Sequence, residues 1–297
     1  MQATLVSQVF LPLALFIIML SVGMSLKVLD FQRVFTQPKA IVVGMLAQLV
    51  CLPLLGWIII QLYNLPLLLA AGLMILTLAP GGATSNAITL LAKGDTALSV
   101  SLTALNSVIV PFTLPLLAVV VFQALSMGSA QIDFPVMQTI IQMLLITLLP
   151  VSIGMLFGHI FPEINLKVRG FCRSLALILM LMTVVLLVVT SWSRLMLVLP
   201  QLALPVLSLV LAAMMLGYVV ARLAGLSEAK QVTLLVEVGL QNAGTALLVT
   251  STLLQSPEMS ASALVYGVLM QIPALLLIAW RNREIFTRSL SRSETLG

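Results

Sequence analysis

Long apolar runs alternate with short breaks rich in Lys, Arg, Pro, Gly or Asp along all 297 residues. A bilayer crossing takes about 20 mainly apolar residues. The pattern predicts nine such helices, at about 5–26, 40–63, 66–92, 96–123, 136–161, 174–192, 199–221, 231–254 and 260–280. The runs are too long and too continuously apolar for the alternating strands of an outer-membrane barrel. Little chain remains for an extramembrane domain, so residues 1–297 read as one membrane domain, with 281–297 as a tail.

Two of the predicted helices are polar in the middle. The third contains Ala79-Pro80-Gly81-Gly82-Ala83-Thr84-Ser85-Asn86, and the eighth contains Glu237-Val238-Gly239-Leu240-Gln241-Asn242. Proline lacks a donor and clashes with the preceding turn, and glycine weakens a helix, so Pro80, Gly81, Gly82 and Gly239 mark interruptions. Freed backbone groups in hydrocarbon cost several kcal/mol unless they are buried in protein or line a watery cavity, which places both breaks inside the bundle. The third and eighth helices are five crossings apart and therefore run in opposite directions. Helices two to four correspond in order to helices seven to nine. Discontinuous helices in inverted repeats meet near the midplane and build substrate and ion sites there.

Composition sharpens this. With 61% hydrophobic and 8% charged residues, a soluble globule is excluded. The 14 Lys and Arg residues sit between apolar runs, a topology pattern rather than a nucleic-acid surface. Thirteen of them fall after helices one, three, five, seven and nine, and only Arg194 falls on the opposite side. Basic loops stay in the cytoplasm, so the N-terminus is predicted outside and the C-terminus inside, in a bacterial inner (plasma) membrane. No basic residue precedes the first apolar run and Lys27 follows it, which favours an uncleaved first helix over a secretory signal.

Eight of the nine acids lie in or beside predicted loops, and Glu237 alone is deep in a span. A carboxylate there costs at least about 3 kcal/mol. No Lys or Arg lies in any predicted span to pair with it, so its partner is a bound cation or a proton. A hard cation such as sodium takes oxygen ligands, which Glu237, Gln241 and Asn242 offer from one break and Ser85 and Asn86 from the other. Gln48, and Ser99 with Thr103 on one face of helix four, complete the candidate set. A proton-coupled carrier or exchanger with Glu237 as the titrating group is the alternative reading. An intramembrane enzyme is disfavoured, because the single histidine, His159, ends helix five and no Ser-His pair or paired carboxylates occur in the spans. Cys51 and Cys172 form no metal-ligand spacing.

The chain resembles the bile acid:sodium symporter family. The resemblance is carried by Gly23-Met24-Ser25-Leu26 with Asp30-Phe31, Ala47-Gln48, Pro80-Gly81-Gly82 with Ser85-Asn86, Leu98-Ser99 with Thr103, and Glu237 to Asn242. It implies alternating-access symport of an organic anion, bile acid-like or a small carboxylate, with two sodium ions. It also implies a core domain, at about 40–123 and 199–280, and a panel domain, at about 5–26, 136–161 and 174–192. The first sodium would take Ser85, Asn86, Ser99, Thr103 and Glu237. The second would take Gln48, Glu237, Gln241 and the carbonyls of Val238 and Leu240. Asn242 would face the substrate, with Thr84 and Gln271 beside it. Two departures fall on the substrate side: Ala83-Thr84 stands where relatives have Thr-Ala, and Met270-Gln271-Ile272 replaces a His-Asn pair. Glu237 with two sodium ions carries a net single positive charge, and the helix starting after the Pro80 break directs free amides inward, so an organic anion is stabilised without arginine.

Overall fold

The computed structural model describes residues 6–125 and 134–283. Asp133, Glu284, Arg288, Arg292, Glu294 and most of the predicted tail lie outside the described residues. The described residues form helices and connections, with no strand among them. In chain order the helices are α1 (6–25), α2 (Val28–Thr36), α3 (Pro38–Leu62), α4 (Leu67–Thr77), α5 (Ala83–Leu91) and α6 (Thr96–Leu125). They continue as α7 (Val136–Ile160), α8 (Pro162–Thr190), α9 (Trp192–Leu223), α10 (Glu228–Gly239), α11 (243–253) and α12 (Pro257–Arg281). Eight helical stretches among the described residues, counting α10 with α11 as one, are long and apolar enough to cross a membrane. The third span is interrupted where Pro80, Gly81 and Gly82 predict it, as two short helices, α4 and α5, separated at 78–82.

Two predicted boundaries need correction. The predicted sixth helix, 174–192, begins twelve residues earlier, at Pro162, so Lys167 and Arg169 lie on helical turns and not in a loop. Pro162 supplies the fixed φ of a first helical turn, and hydropathy registers only the part of such a helix that lies in hydrocarbon. The predicted seventh helix likewise begins at Trp192 rather than near 199. The segment between the first two predicted spans, read as a loop, contains α2. This helix exposes Val28, Leu29 and Phe35 beside charged residues, the character of a helix lying at a membrane interface.

α1 lies against both α7 and α8. The largest buried apolar cluster runs through α3, α4, α6 and α9 to α12 and also takes in Leu11 and Leu15 of α1, Met143 of α7 and Leu187 of α8. The α1–α7 seam is closed by reciprocal glycines. A Cβ on Gly23 would overlap the Val151 carbonyl, and one on Gly154 would overlap the Leu20 carbonyl. Small residues admit this main-chain approach between membrane helices, where dispersion replaces the hydrophobic drive.

Hydrogen bonds also sort the ends of the bundle. Arg281 donates to the Ala92 carbonyl, Asn282 to that of Leu91, and the Asp95 amide to that of Ala229. The breaks after the third, seventh and ninth predicted spans therefore share one face, as the alternating basic loops require. At the opposite end, Ser262 donates to the Leu69 carbonyl and joins the starts of α12 and α4.

Candidate functional site at the crossed helix breaks

The breaks at 78–82 and 240–242 meet in the interior, joined through main chain: the Asn242 amide donates to the Ala79 carbonyl at 2.9 Å. Each break must satisfy the groups it frees. At the end of α10, the Glu237 carbonyl accepts from Gln48 Nε2 at 2.9 Å, the Val238 carbonyl from Gln241 Nε2 at 2.7 Å, and the Gly239 carbonyl from the Tyr266 hydroxyl at 2.8 Å. On the far side, Asn242 Oδ1 caps α11 by accepting the Thr245 amide at 3.1 Å. In the other break, Ser85 donates through its hydroxyl and amide to the Gly82 carbonyl, at 2.7 and 3.1 Å.

The Glu237 side chain is wholly buried at this crossing. Its Oε1 lies 2.5 Å from Ser99 Oγ, which also lies 2.6 Å from Asn86 Oδ1; Thr103 Oγ1 reaches the same Asn86 oxygen at 3.3 Å. A serine hydroxyl has one proton and cannot donate to both acceptors. Glu237 Oε2 has no hydrogen-bond partner. The chain passes so close above it that a Cβ on Gly81 would sit 2.9 Å from the Leu240 carbonyl oxygen, 3.0 Å from Ser85 Oγ and 3.2 Å from Glu237 Oε2. Gly81 thus lets the unwound segment close over the carboxylate. Ser85, Asn86, Ser99, Thr103 and Glu237 come together at the crossing. Gln48 lies beside Glu237 as well and donates to its main-chain carbonyl.

Two further buried oxygens lack partners beside this cluster, Gln241 Oε1 and Asn106 Oδ1. Asn106 was not anticipated; its Nδ2 donates to Gln48 Oε1 at 2.9 Å and so fixes the Gln48 carboxamide. The signal lay in the spacing: Ser99, Thr103 and Asn106 recur at four and three residues, one face of α6. Tyr266 was likewise unremarked, although a tyrosine in the middle of an apolar span needs a partner for its hydroxyl. Unpartnered acceptors gathered around one carboxylate, which forms no ion pair among the described residues, form a set that suits a hard cation.

Two cavities flank the crossing. The larger, of about 470 Å³, is lined at the crossing by Thr84, Ser85, Gln241, Asn242 and Gln271, and opposite by apolar residues of α1 and α8 such as Leu15, Leu181 and Val184. Thr84, Asn242 and Gln271, the three predicted substrate residues, all line it. Among the described residues no charged side chain does. The smaller, about 30 Å³, lies toward α6 and α7 between Gly81, Thr103, Asn106 and Thr147.

A polytopic helical membrane protein with an oxygen-lined site at two interrupted helices belongs with the carriers. The sequence places it further: residues 12–196 match the sodium bile acid symporter family, and the chain belongs to that family. Members of the family are transporters, not enzymes. The chain is 29% identical over 274 residues to the "Probable sodium/metabolite cotransporter BASS2, chloroplastic" of Oryza sativa subsp. japonica, covering 90% of this chain and 63% of that one. It is 26% identical over 283 residues to the "Uncharacterized sodium-dependent transporter YocS" of Bacillus subtilis (strain 168), covering 93% and 84%. Its identity with the ileal sodium/bile acid cotransporter of Homo sapiens is 28% over 235 residues, covering 78% and 66%.

Proposed function

We propose that the protein is a sodium-coupled symporter that carries an organic anion across the membrane with two sodium ions, by alternating access. The observation that carries this is the Glu237 cluster: a buried carboxylate among oxygen ligands, with Glu237 Oε2 and Gln241 Oε1 buried and without a partner. The family and the names of the relatives support sodium as the coupling ion. In this reading the first ion takes Ser85, Asn86, Ser99, Thr103 and Glu237. The second takes Gln48, Glu237, Gln241 and the carbonyls of Val238 and Leu240. The predicted nine spans, with α4–α5 as the third, and the inverted repeat rest on the paired breaks. α1, α7 and α8 would act as a panel against a core of the remaining spans, a division that their packing supports.

The cavity argues for the substrate class. Its volume lies in the range of about 300–1,000 Å³ that small-molecule sites occupy. Its polar wall is confined to the crossing, so a substrate would place a carboxylate or similar anionic head near Asn242 and Thr84 and an apolar body against α1 and α8. The α5 N-terminus contributes free amides and a partial positive charge there. Sodium would order the breaks first, and the anion would then bind the ordered site.

Uptake of candidate anions into proteoliposomes, with an inward sodium gradient or with choline in its place, tests the proposal. Accumulation should require sodium; undiminished uptake in choline would overturn it. One observation also favours a second reading. A protonated Glu237 would donate to Ser99 and resolve the two short contacts without a cation, as a proton-coupled carrier requires. Uptake that follows pH at fixed sodium, and not sodium at fixed pH, would select that reading.

A further inference from the structure

A separate cavity of about 550 Å³ lies at the end of the bundle where α1 ends and α7 gives way to α8. Its lining includes Lys27, His159, Asn165 and Arg169, together with the apolar Leu29 and Leu166. Among the described residues neither Lys27 nor Arg169 forms an ion pair. The adjacent acid, Asp30, is held by the Lys27 main-chain amide at 2.8 Å. Asn165 is only 8% exposed, and its Nδ2 donates to the Met24 carbonyl at 2.9 Å, while Oδ1 has no partner. Gly158 makes room for this carboxamide, since a Cβ there would lie 3.0 Å from Asn165 Nδ2. Two helix starts, at Val28 and Pro162, also line the cavity, each with an acid in its first turn, Asp30 and Glu163, so the positive charge of the site comes from Lys27 and Arg169.

The positive side chains of Lys27 and Arg169 select an anion, and the buried Asn165 oxygen selects a donor carried by the same ligand. The rim is apolar and exposed at Val28, Leu29 and Leu166, as at a boundary with acyl chains. We propose that this cavity binds a phosphate group, and specifically the head group of an anionic glycerophospholipid whose hydroxyls reach Asn165. The basic-loop pattern places it at the cytoplasmic leaflet, where anionic lipid attracts juxtamembrane Lys and Arg. The site lies among α1, α2, α7 and α8 and shares no residue with the cavity at the crossed breaks, so a bound lipid would hold the α1–α7–α8 group at the membrane surface.

Thermal unfolding of the purified full chain in detergent provides the test, with phosphatidylglycerol, phosphatidylcholine or inorganic phosphate added at matched concentration. Phosphatidylglycerol should raise the unfolding temperature by about 3 °C or more over phosphatidylcholine. Lys27→Gln/Arg169→Gln should lose that increment, and Lys27→Arg/Arg169→Lys should keep most of it. An equal shift from inorganic phosphate would support the phosphate site with a free anion as its ligand. Equal shifts from both lipids, or an undiminished phosphatidylglycerol shift in the charge-removed variant, would overturn the proposal. If the charge-removed variant does not fold, competition decides: phosphatidylglycerol that fails to displace a spin-labelled anionic lipid from the wild-type chain more readily than phosphatidylcholine does also overturns it. Sodium-driven uptake is not the readout, so failure here leaves the transport reading untouched.

Discussion

At the scale of single residues, the geometry around Glu237 makes the sharpest demands. Glu237→Gln keeps the shape and removes the charge that would hold a cation. Sodium-driven uptake should fall by at least about 100-fold, the loss of roughly 3 kcal/mol of charge-assisted interaction. Purified protein should still fold, because an amide in that position is less costly to bury than a carboxylate. A wild-type sodium curve in this variant would mean that the ligands are misassigned. Asn106→Leu asks a different question, since Asn106 touches Gln48 rather than the Glu237 carboxylate cluster. Releasing the Gln48 carboxamide should raise the sodium concentration for half-maximal uptake about tenfold, near 1.4 kcal/mol, with little change in maximal rate. Sodium titrations of initial uptake rates distinguish these two effects.

At the scale of elements, Gly81 and Gly154 do different work. Gly81→Ala would press a methyl between the Leu240 carbonyl, Ser85 Oγ and Glu237 Oε2. Binding of sodium and substrate should be lost while the protein remains folded, which isothermal titration and a melting curve can show together. Gly154→Leu would force α7 off α1 along the seam shared with Gly23. Its effect should appear as a fall in unfolding temperature by several degrees, from a loss of order 2 kcal/mol or more.

The same elements show what the chain made legible beforehand. The interruptions could be read because Pro80, Gly81 and Gly82 act locally, through their own backbones. Glu237 could be read because an unpaired carboxylate has no other place in an apolar span. Asn106 and Tyr266 escaped because their tasks depend on which helix lies opposite, a fact absent from spacing along one helix. The early start of α8 escaped for another reason: a helix can continue beyond hydrocarbon, where hydropathy carries no signal.

For the molecule as a whole, charge movement is the measurable quantity. Two sodium ions with a monovalent anion move one net positive charge, worth about 2.3 kcal/mol per 100 mV. Solid-supported membrane currents should therefore accompany uptake of a monocarboxylate and vanish for a dicarboxylate taken up with the same two ions. A current of equal size for both would exclude that stoichiometry. The basic loops also predict that a cysteine placed at Lys93, in a chain freed of Cys51 and Cys172, reacts with an impermeant thiol reagent only from the cytoplasmic side.

The joint between the two breaks is made by an amide at Asn242 and a carbonyl at Ala79. Neither atom belongs to a side chain, so the joint is blind to the alphabet: any residue can supply the carbonyl, and any except proline the amide. Substitutions at the residues around it, Thr84 and Gln271 among them, therefore leave the joint itself intact. On the proposed function, a carrier fastened in this way could change its substrate by point substitution while the two breaks stay in register.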